Sequence, residues 1–367
     1  MNVMRIAIIL AGLVFCVATQ GSFAQTTTTI KGVVFSDYFY SMKNNDSAVK
    51  GQNGFQFRRV YFTVENAITS NIKMRFRLDA KHDKFGSTEK MRPFLKHAYL
   101  AWSNLIPNHT LYLGLAETNA FKNAEGYWGY RSIAKTILDL NKIVSSADMG
   151  LALKGDLGKF VHHWLTIQNG TGYGSSEVDK YKRIGYAFWL TPLKGLIVEG
   201  YADYEKQDPA TGTFSAARDY FHSTGYSTLK AFVGYSSPCF TVGTELFART
   251  NRESGATDAS GLTRTDVRKQ GVSVFAMWIT PISKLKVFGR YDYFDPNADD
   301  EVFTGAAQNG ACDERTDIIA GFDYIPTAKV HIMPNIWITS YTQNGLKNDV
   351  TARVTLYYNF NSGKITI

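Results

Sequence analysis

Apolar and polar residues alternate along most of this chain, in runs of about ten residues between residues 29 and 360. In the run from Ile72 to Lys81 every even-numbered residue is apolar and every odd-numbered residue is charged. Successive side chains of a β-strand point to opposite faces, so this run predicts a strand with one apolar and one charged face. A soluble sheet turns the apolar face to its core, whereas a membrane barrel turns it to lipid and the polar face to a wet lumen.

The spacing of the runs favours the barrel. Short connections, such as 70–71 and 326–329, alternate with long ones at 42–54, 119–147, 208–224, 253–268 and 296–315. Bacterial barrels sort their connections into short periplasmic turns and longer extracellular loops, and their strand number is even. We predict sixteen strands, at 29–41, 55–68, 72–84, 94–103, 110–118, 148–157, 160–170, 182–191, 196–207, 225–235, 240–252, 269–280, 285–295, 316–325, 330–342 and 349–360. The predicted fold is therefore an all-β, transmembrane, antiparallel up-and-down barrel, and sixteen strands leave an aqueous channel.

Both ends of the chain support export to an outer membrane. Arg5, an apolar stretch and the small-x-small sequence ending at Ala24 predict a signal peptide over residues 1–24, which leaves residues 25–367 as the barrel. Removing Arg5 leaves 39 basic against 32 acidic residues, a net charge of +7. The last run alternates up to Phe360, and a terminal aromatic strand of this kind is characteristic of outer-membrane barrels. We expect the outer membrane of a Gram-negative bacterium, with membrane lipid and lipopolysaccharide as partners.

The third extracellular loop in chain order, at about 117–148, carries the clearest helical pattern. Ser132 is a candidate N-cap, and Ile133, Ile137, Leu140 and Val144 recur at helical spacing. We predict a helix over 133–144 and prefer a loop folded into the lumen as a constriction to a cap over the barrel mouth. The constriction would present four charged residues to the pore: Arg131, Lys135, Asp139 and Lys142.

The strand patterns are most distinctive in Phe55–Glu65 with the strand after it, in Phe94–Leu100 and in Leu111–Leu115. In these stretches the chain resembles the phosphate-selective porin O and P family of sixteen-stranded outer-membrane channels. The resemblance implies a homotrimer, an in-folded third loop and anion passage guided by arginines and lysines. The chain departs from the family pattern after Leu115, because residues 117–120 are Glu-Thr-Asn-Ala where the family has a basic residue and a proline.

Alternation assigns a basic set of side chains to the lumen. Arginine and lysine surfaces favour anions, so these residues are candidates for guiding anions through the pore. The candidates are Arg59, Lys73, Arg75, Arg77, Lys81, Arg183, Arg249, Arg290 and Arg353. An acidic stretch at Glu199, Asp203 and Glu205 is expected on the opposite wall, which would create a transverse field. By the same register Arg58 is expected on the lipid face near the outer rim.

The predicted function is a porin through which small hydrophilic solutes diffuse passively, with a mild preference for anions and with phosphate as one candidate solute. A plugged or adhesive barrel with a binding role is the alternative, and an outer-membrane barrel enzyme is less favoured because no serine–histidine or acidic site stands out. No catalytic residue, metal site, cofactor or nucleic-acid partner is predicted. The neighbouring His162 and His163 should point to opposite faces, and Cys239 and Cys312 should lie too far apart for a disulfide.

Overall fold

Sixteen strands form one closed antiparallel sheet in the computed structural model, which describes residues 26–81, 91–177, 179–206, 223–253, 266–298, 314–342 and 345–366. The strands are β1 (Thr27–Lys43), β2 (Asn53–Ala67), β3 (Ile72–Lys81), β4 (Arg92–Ser103), β5 (His109–Glu117), β6 (Ala147–Asp156), β7 (Val161–Gln168), β8 (Arg183–Leu190), β9 (Leu196–Lys206), β10 (Ser223–Ser236), β11 (Phe240–Glu253), β12 (Val267–Ile279), β13 (Leu285–Asp295), β14 (Arg315–Thr327), β15 (Val330–Tyr341) and β16 (Asp349–Asn361). The predicted barrel and its sixteen strands are confirmed. The proposed signal peptide lies outside the described residues.

The barrel closes because β1 pairs with both β2 and β16. Phe35 of β1 is opposite Arg59 on one side and Tyr357 on the other. A two-residue strand, β17 (Ile365–Thr366), continues the seam by pairing with the start of β1. The described part of the chain therefore begins and ends at the same rim as short turns such as 68–71 and 328–329, and we call this the terminal rim. The opposite end is the loop rim.

The distribution of exposure is that of a sheet with its apolar face outward. In β9 the inward residues Glu199, Tyr201 and Asp203 are buried, whereas the outward residues Val198 and Tyr204 are exposed. The outward apolar face would be in contact with lipid in a membrane barrel. No helix in the described part of the chain has the length and apolar character needed to cross a membrane.

Two β-bulges change which side chains face the lumen. In β2 the register passes from Phe35–Arg59 to Ser36–Phe57, so Arg58 is an extra residue without a cross-strand partner. A bulge turns neighbouring side chains to the same side of a strand. The expectation that Arg58 faces lipid is therefore wrong, because its guanidinium points inward and bonds to the third loop.

The second bulge lies in β4, where the register passes from Arg77–His97 to Leu78–Leu95 and leaves Lys96 as the extra residue. Lys96 and His97 are both buried on the inner side. The two bulges thus bring additional basic side chains into the lumen beside the third loop.

Candidate functional site

Loop 3, which we define as residues 118–146, lies inside the barrel. It contains helix α1 (Lys122–Trp128) and one short turn, α2 (Ile137–Leu140). Trp128 is only 1 % exposed, and its ring packs against Phe275 at 5.5 Å and Phe288 at 6.1 Å between centroids. Phe275 and Phe288 point inward from β12 and β13, so the loop covers an apolar patch on the inner wall.

This inner apolar patch was not predicted, although the sequence carries a signal for it. The run from Val274 to Ile279 is apolar without interruption, and its exposed residues Val274 and Trp278 alternate with the buried Phe275. Apolar side chains on both faces of a barrel strand require a cover on the inner face. Loop 3 is that cover.

Buried polar contacts anchor the first part of loop 3 to the wall. The ammonium of Lys230 donates to the carbonyl oxygen of Ala120 at 2.7 Å and forms ion pairs with Glu199 at 2.5 Å and Glu245 at 3.6 Å. Asn119 donates to the carbonyl oxygen of Trp164 at 2.7 Å. An unpaired charge in such a dry site would be costly, so the three charged groups stabilise one another.

The predicted helix over 133–144 is wrong except for residues 137–140, and the capping role of Ser132 is absent because α2 follows Thr136. Side chains of the barrel occupy the carbonyl groups that a helix would use. Arg290 donates to the carbonyl oxygen of Lys135 at 2.6 Å. Trp128, within the loop, donates to that of Ala134 at 2.9 Å. Tertiary hydrogen bonds therefore replace helical ones in this segment. The sequence pattern also missed α1, which ends at Gly129 in the left-handed region.

The charged residues of loop 3 form a compact cluster. Arg131 bonds to Asp139 at 2.8 Å and to Glu125 at 3.1 Å, and Lys135 reaches Asp139 at 2.9 Å. Burial alone would raise the pKa of Asp139, but the positive charges of Arg131 and Lys135 lower it below its usual range. Burial lowers the pKa of Lys135 even though Asp139 opposes that shift. Lys142 is exposed and lies apart from this cluster.

The inner wall opposite the apolar patch is mainly basic. Arg59 lies 3.1 Å from Asp79 and donates to the hydroxyl of Tyr61 at 2.6 Å. Arg75 pairs with Glu65 at 2.6 Å. Lys73 is exposed and Lys81 is partly exposed. Arg353 lies 3.9 Å from Asp37, which Arg58 also approaches at 3.6 Å. The predicted basic side chains of β2, β3 and β16 therefore line one side of the lumen.

The other predicted arginines lie in the wall that loop 3 covers or braces. Arg183 bonds to Asp203, and Arg290 pairs with Asp292 at 2.5 Å. Arg249 donates to the carbonyl oxygen of Ile143 in loop 3. These contacts fix the loop and the strands and leave little of the guanidinium groups free.

The expectation that the acidic stretch creates a transverse field is wrong, because its carboxylates are paired with basic groups of the same wall. Glu199 is neutralised by Lys230 beneath the loop, and Asp203 and Glu205 share Arg183. The acidic groups nearest to the basic wall are instead Asp37, Glu65, Asp79, Glu117, Glu125 and Asp139.

His162 and His163 point to opposite faces, as predicted. His162 bonds to Asp156 at 2.6 Å and stacks on the buried Trp189. His163 bonds instead to His109 at 2.8 Å between Nε2 atoms.

A cavity of about 520 Å³ lies on the terminal-rim side of loop 3. Its boundary includes basic side chains of β3 and β4, the underside of loop 3, and apolar side chains of β1, β15 and β16. We call it the vestibule. It extends from the basic wall toward the terminal rim.

The closed sixteen-stranded barrel is similar in fold to solved structures of outer-membrane porins and channels. The anion-selective porin from Comamonas acidovorans superposes with a TM-score of 0.62 at 12 % identity, over 92 % of this chain and 100 % of that one. The outer membrane channel DcaP of Acinetobacter baumannii gives 0.63 at 11 % identity, over 94 % and 100 %. OmpF of Salmonella typhi gives 0.61 at 11 % identity, over 91 % and 97 %.

These likenesses establish a porin-like barrel fold. No family model and no curated protein matches the sequence. The porin-like part of the resemblance is thus supported by the fold, whereas the narrower phosphate-selective family is not.

Proposed function

We propose that this chain is an outer-membrane porin, a passive diffusion channel for small hydrophilic solutes with a mild preference for anions. One observation carries the proposal: loop 3 covers the apolar side of a sixteen-stranded lumen, and a cavity of about 520 Å³ lies between this loop and the basic wall. Barrels of this size enclose an aqueous channel.

The charge balance near loop 3 supports the anion preference. Among the described residues of the basic wall and loop 3, nine basic side chains meet six acidic ones. The basic ones are Arg58, Arg59, Arg75, Arg77, Lys96, Lys122, Arg131, Lys135 and Arg353, and the acidic ones are Asp37, Glu65, Asp79, Glu117, Glu125 and Asp139. An excess of fixed positive charge raises the local concentration of anions. Lys73, Lys81 and Lys142 would extend the positive surface toward the two rims.

The setting of the protein follows from the same proposal. Residues 1–24 would direct export, and the outward apolar face would contact membrane lipid, with lipopolysaccharide at the outer leaflet. We propose a homotrimer. A structurally similar protein, OmpT of Vibrio cholerae, is described in a trimer form. No catalytic role is proposed.

Planar-bilayer recording tests the channel. The refolded chain without residues 1–24 should give discrete conductance steps. In a salt gradient, the reversal potential should have the sign expected for a channel that is more permeable to anions than to cations. Steps without charge preference would leave a general porin. A barrel that resists unfolding in detergent, and is therefore folded, but gives no conductance in the bilayer would overturn the proposed channel function.

One contact favours a second candidate, a closed barrel with a binding role. Arg58 connects β2 with loop 3 across the lumen through hydrogen bonds of 2.9 and 2.8 Å to the carbonyl oxygens of Ser132 and Ile133. If the wild-type barrel gives no conductance and a variant without the Arg58 contact conducts, the closed state is caused by this contact.

A further inference from the structure

The vestibule has two chemically different sides. Its apolar side includes Phe35, Met333 and Tyr357, with the rings of Phe35 and Tyr357 5.7 Å apart between centroids. Its polar side includes Arg77 and His97, which are cross-strand neighbours on β3 and β4. Small-molecule sites in proteins are commonly cavities of about 300–1,000 Å³ with mostly apolar linings and a few placed polar groups.

His97 is the first sign that this polar side has a ligand. The side chain is only 2 % exposed, and neither ring nitrogen has a hydrogen-bond partner among the described residues. Buried polar groups in proteins are normally satisfied, so two unsatisfied ring nitrogens in a residue that lines a cavity point to a hydrogen-bond partner in that cavity. A neutral imidazole offers one N–H donor, and a protonated one offers two.

Arg77 is the second sign. Its Nε donates to the hydroxyl of Thr63 at 2.8 Å, and its guanidinium lies 5.0 Å from the ring centroid of Tyr61. Within the described part of the barrel no carboxylate lies at ion-pair distance from Arg77. A guanidinium is suited to bidentate binding of a carboxylate.

The acidic groups at the vestibule are already paired. Glu117 lies 3.2 Å from Lys122 and Glu125 lies 3.1 Å from Arg131, and the carboxylate of Asp323 is in hydrogen-bond contact with Tyr130 at 3.2 Å and with His331 at 3.0 Å. They therefore oppose an entering anion less than free carboxylates would.

We propose that the vestibule is a weak binding site for organic anions with an apolar body, such as aryl or short acyl carboxylates. The carboxylate lies at Arg77 and His97, and the ring or chain packs against Phe35, Met333 and Tyr357. This inference rests on the proposed porin function, because it names the solute class for which the passage is selective. It also separates that class from inorganic phosphate, which has no apolar body.

Two measurements on the full barrel test the site. In planar bilayers with chloride as the current carrier, benzoate is added on the terminal-rim side and compared with inorganic phosphate and with benzyl alcohol. Saturation-transfer NMR on the detergent-solubilised barrel then measures contact with the benzoate ring protons without requiring conduction.

Benzoate should reduce the chloride current and receive saturation, and phosphate and benzyl alcohol should act only at much higher concentration. Arg77→Gln should weaken both benzoate effects by about tenfold, since it removes a charge-assisted hydrogen bond. Phe35→Ser should weaken benzoate binding and leave the weak phosphate effect unchanged. Lys194→Gln, which removes one exposed charge in the turn between β8 and β9, is the matched control.

The outcomes distinguish the site from the channel. If the barrel conducts and phosphate blocks the current as well as benzoate does, the proposed role of the apolar side of the site is overturned. If benzyl alcohol blocks as well as benzoate does, the proposed role of the carboxylate is overturned. Saturation that depends on Arg77 in a silent barrel would support the site and overturn the porin. Conduction with neither block nor saturation by benzoate would overturn the site alone.

Discussion

The guanidinium of Arg58 lies 2.9 Å from the carbonyl oxygen of Ser132, and this contact joins strand β2 to loop 3 on the far side of the lumen. Arg58 reaches the loop only because a bulge turns it inward beside Arg59. The position of loop 3 is therefore fixed from two walls: by apolar packing on β10–β13 and by this arginine. The width of the passage depends on both.

Arg58→Ala should widen the passage. Each hydrogen bond from a charged donor contributes about 1.5–3 kcal/mol, so loss of even one favours release of this part of the loop by about tenfold or more. Single-channel recording should show larger and noisier steps. Lys43→Ala, which removes an exposed charge at the end of β1, is the control, and unchanged steps in Arg58→Ala would contradict the tether.

Asp139→Asn should increase the anion preference. The carboxylate balances Arg131 at 2.8 Å and Lys135 at 2.9 Å, and its neutralisation exposes both positive charges to a passing ion. One unit charge about 4 Å from an ion in water contributes about 1 kcal/mol, so the permeability ratio should change by at most about fivefold. The reversal potential in a salt gradient measures this change. A shift toward cations would contradict the assignment.

The anion selectivity should begin to fall at a lower pH than the deprotonation of an ordinary exposed lysine would predict. Burial lowers the pKa of Lys135, so this group loses its proton, and the passage loses a positive charge, before exposed lysines titrate. The anion preference should therefore fall as pH rises, beginning below the usual lysine range. Reversal potentials measured from neutral to alkaline pH give the profile. Lys135→Arg keeps its charge throughout, and a profile identical to that of the wild type would exclude Lys135 as the cause.

Lys230→Met should destabilise the barrel strongly. Lys230 is fully buried between Glu199 and Glu245 and also holds Ala120 of loop 3, so its removal leaves two uncompensated carboxylates. Breaking a buried ion pair in this way costs about 3–5 kcal/mol. Urea titration of the refolded barrel should show the loss.

The companion variant that also carries Glu199→Gln and Glu245→Gln should recover much of the stability lost in Lys230→Met, because no lone charge remains. Lys194→Met in an exposed turn serves as control. Equal stability of Lys230→Met and the wild type would mean that the ion pairs of Lys230 with Glu199 and Glu245 do not stabilise the barrel.

The sequence by itself determined the sixteen strands and the inward side of most of their charged residues, including Arg59, Arg75 and Arg353. The reason is local: a strand has a side-chain period of two, and a lipid face tolerates little charge. The tertiary structure decided what breaks that period. The bulges at Arg58 and Lys96 depend on pairing with a neighbouring strand.

The conformation of loop 3 was likewise decided outside its own sequence. Its apolar spacing predicted a longer helix, but Arg58 and Arg290 of the barrel take two carbonyl groups that such a helix needs, those of Ile133 and Lys135. Contacts between residues more than seventy positions apart in the chain leave no periodic signal. The same holds for the vestibule, whose two sides come together only when the first and last strands close the barrel.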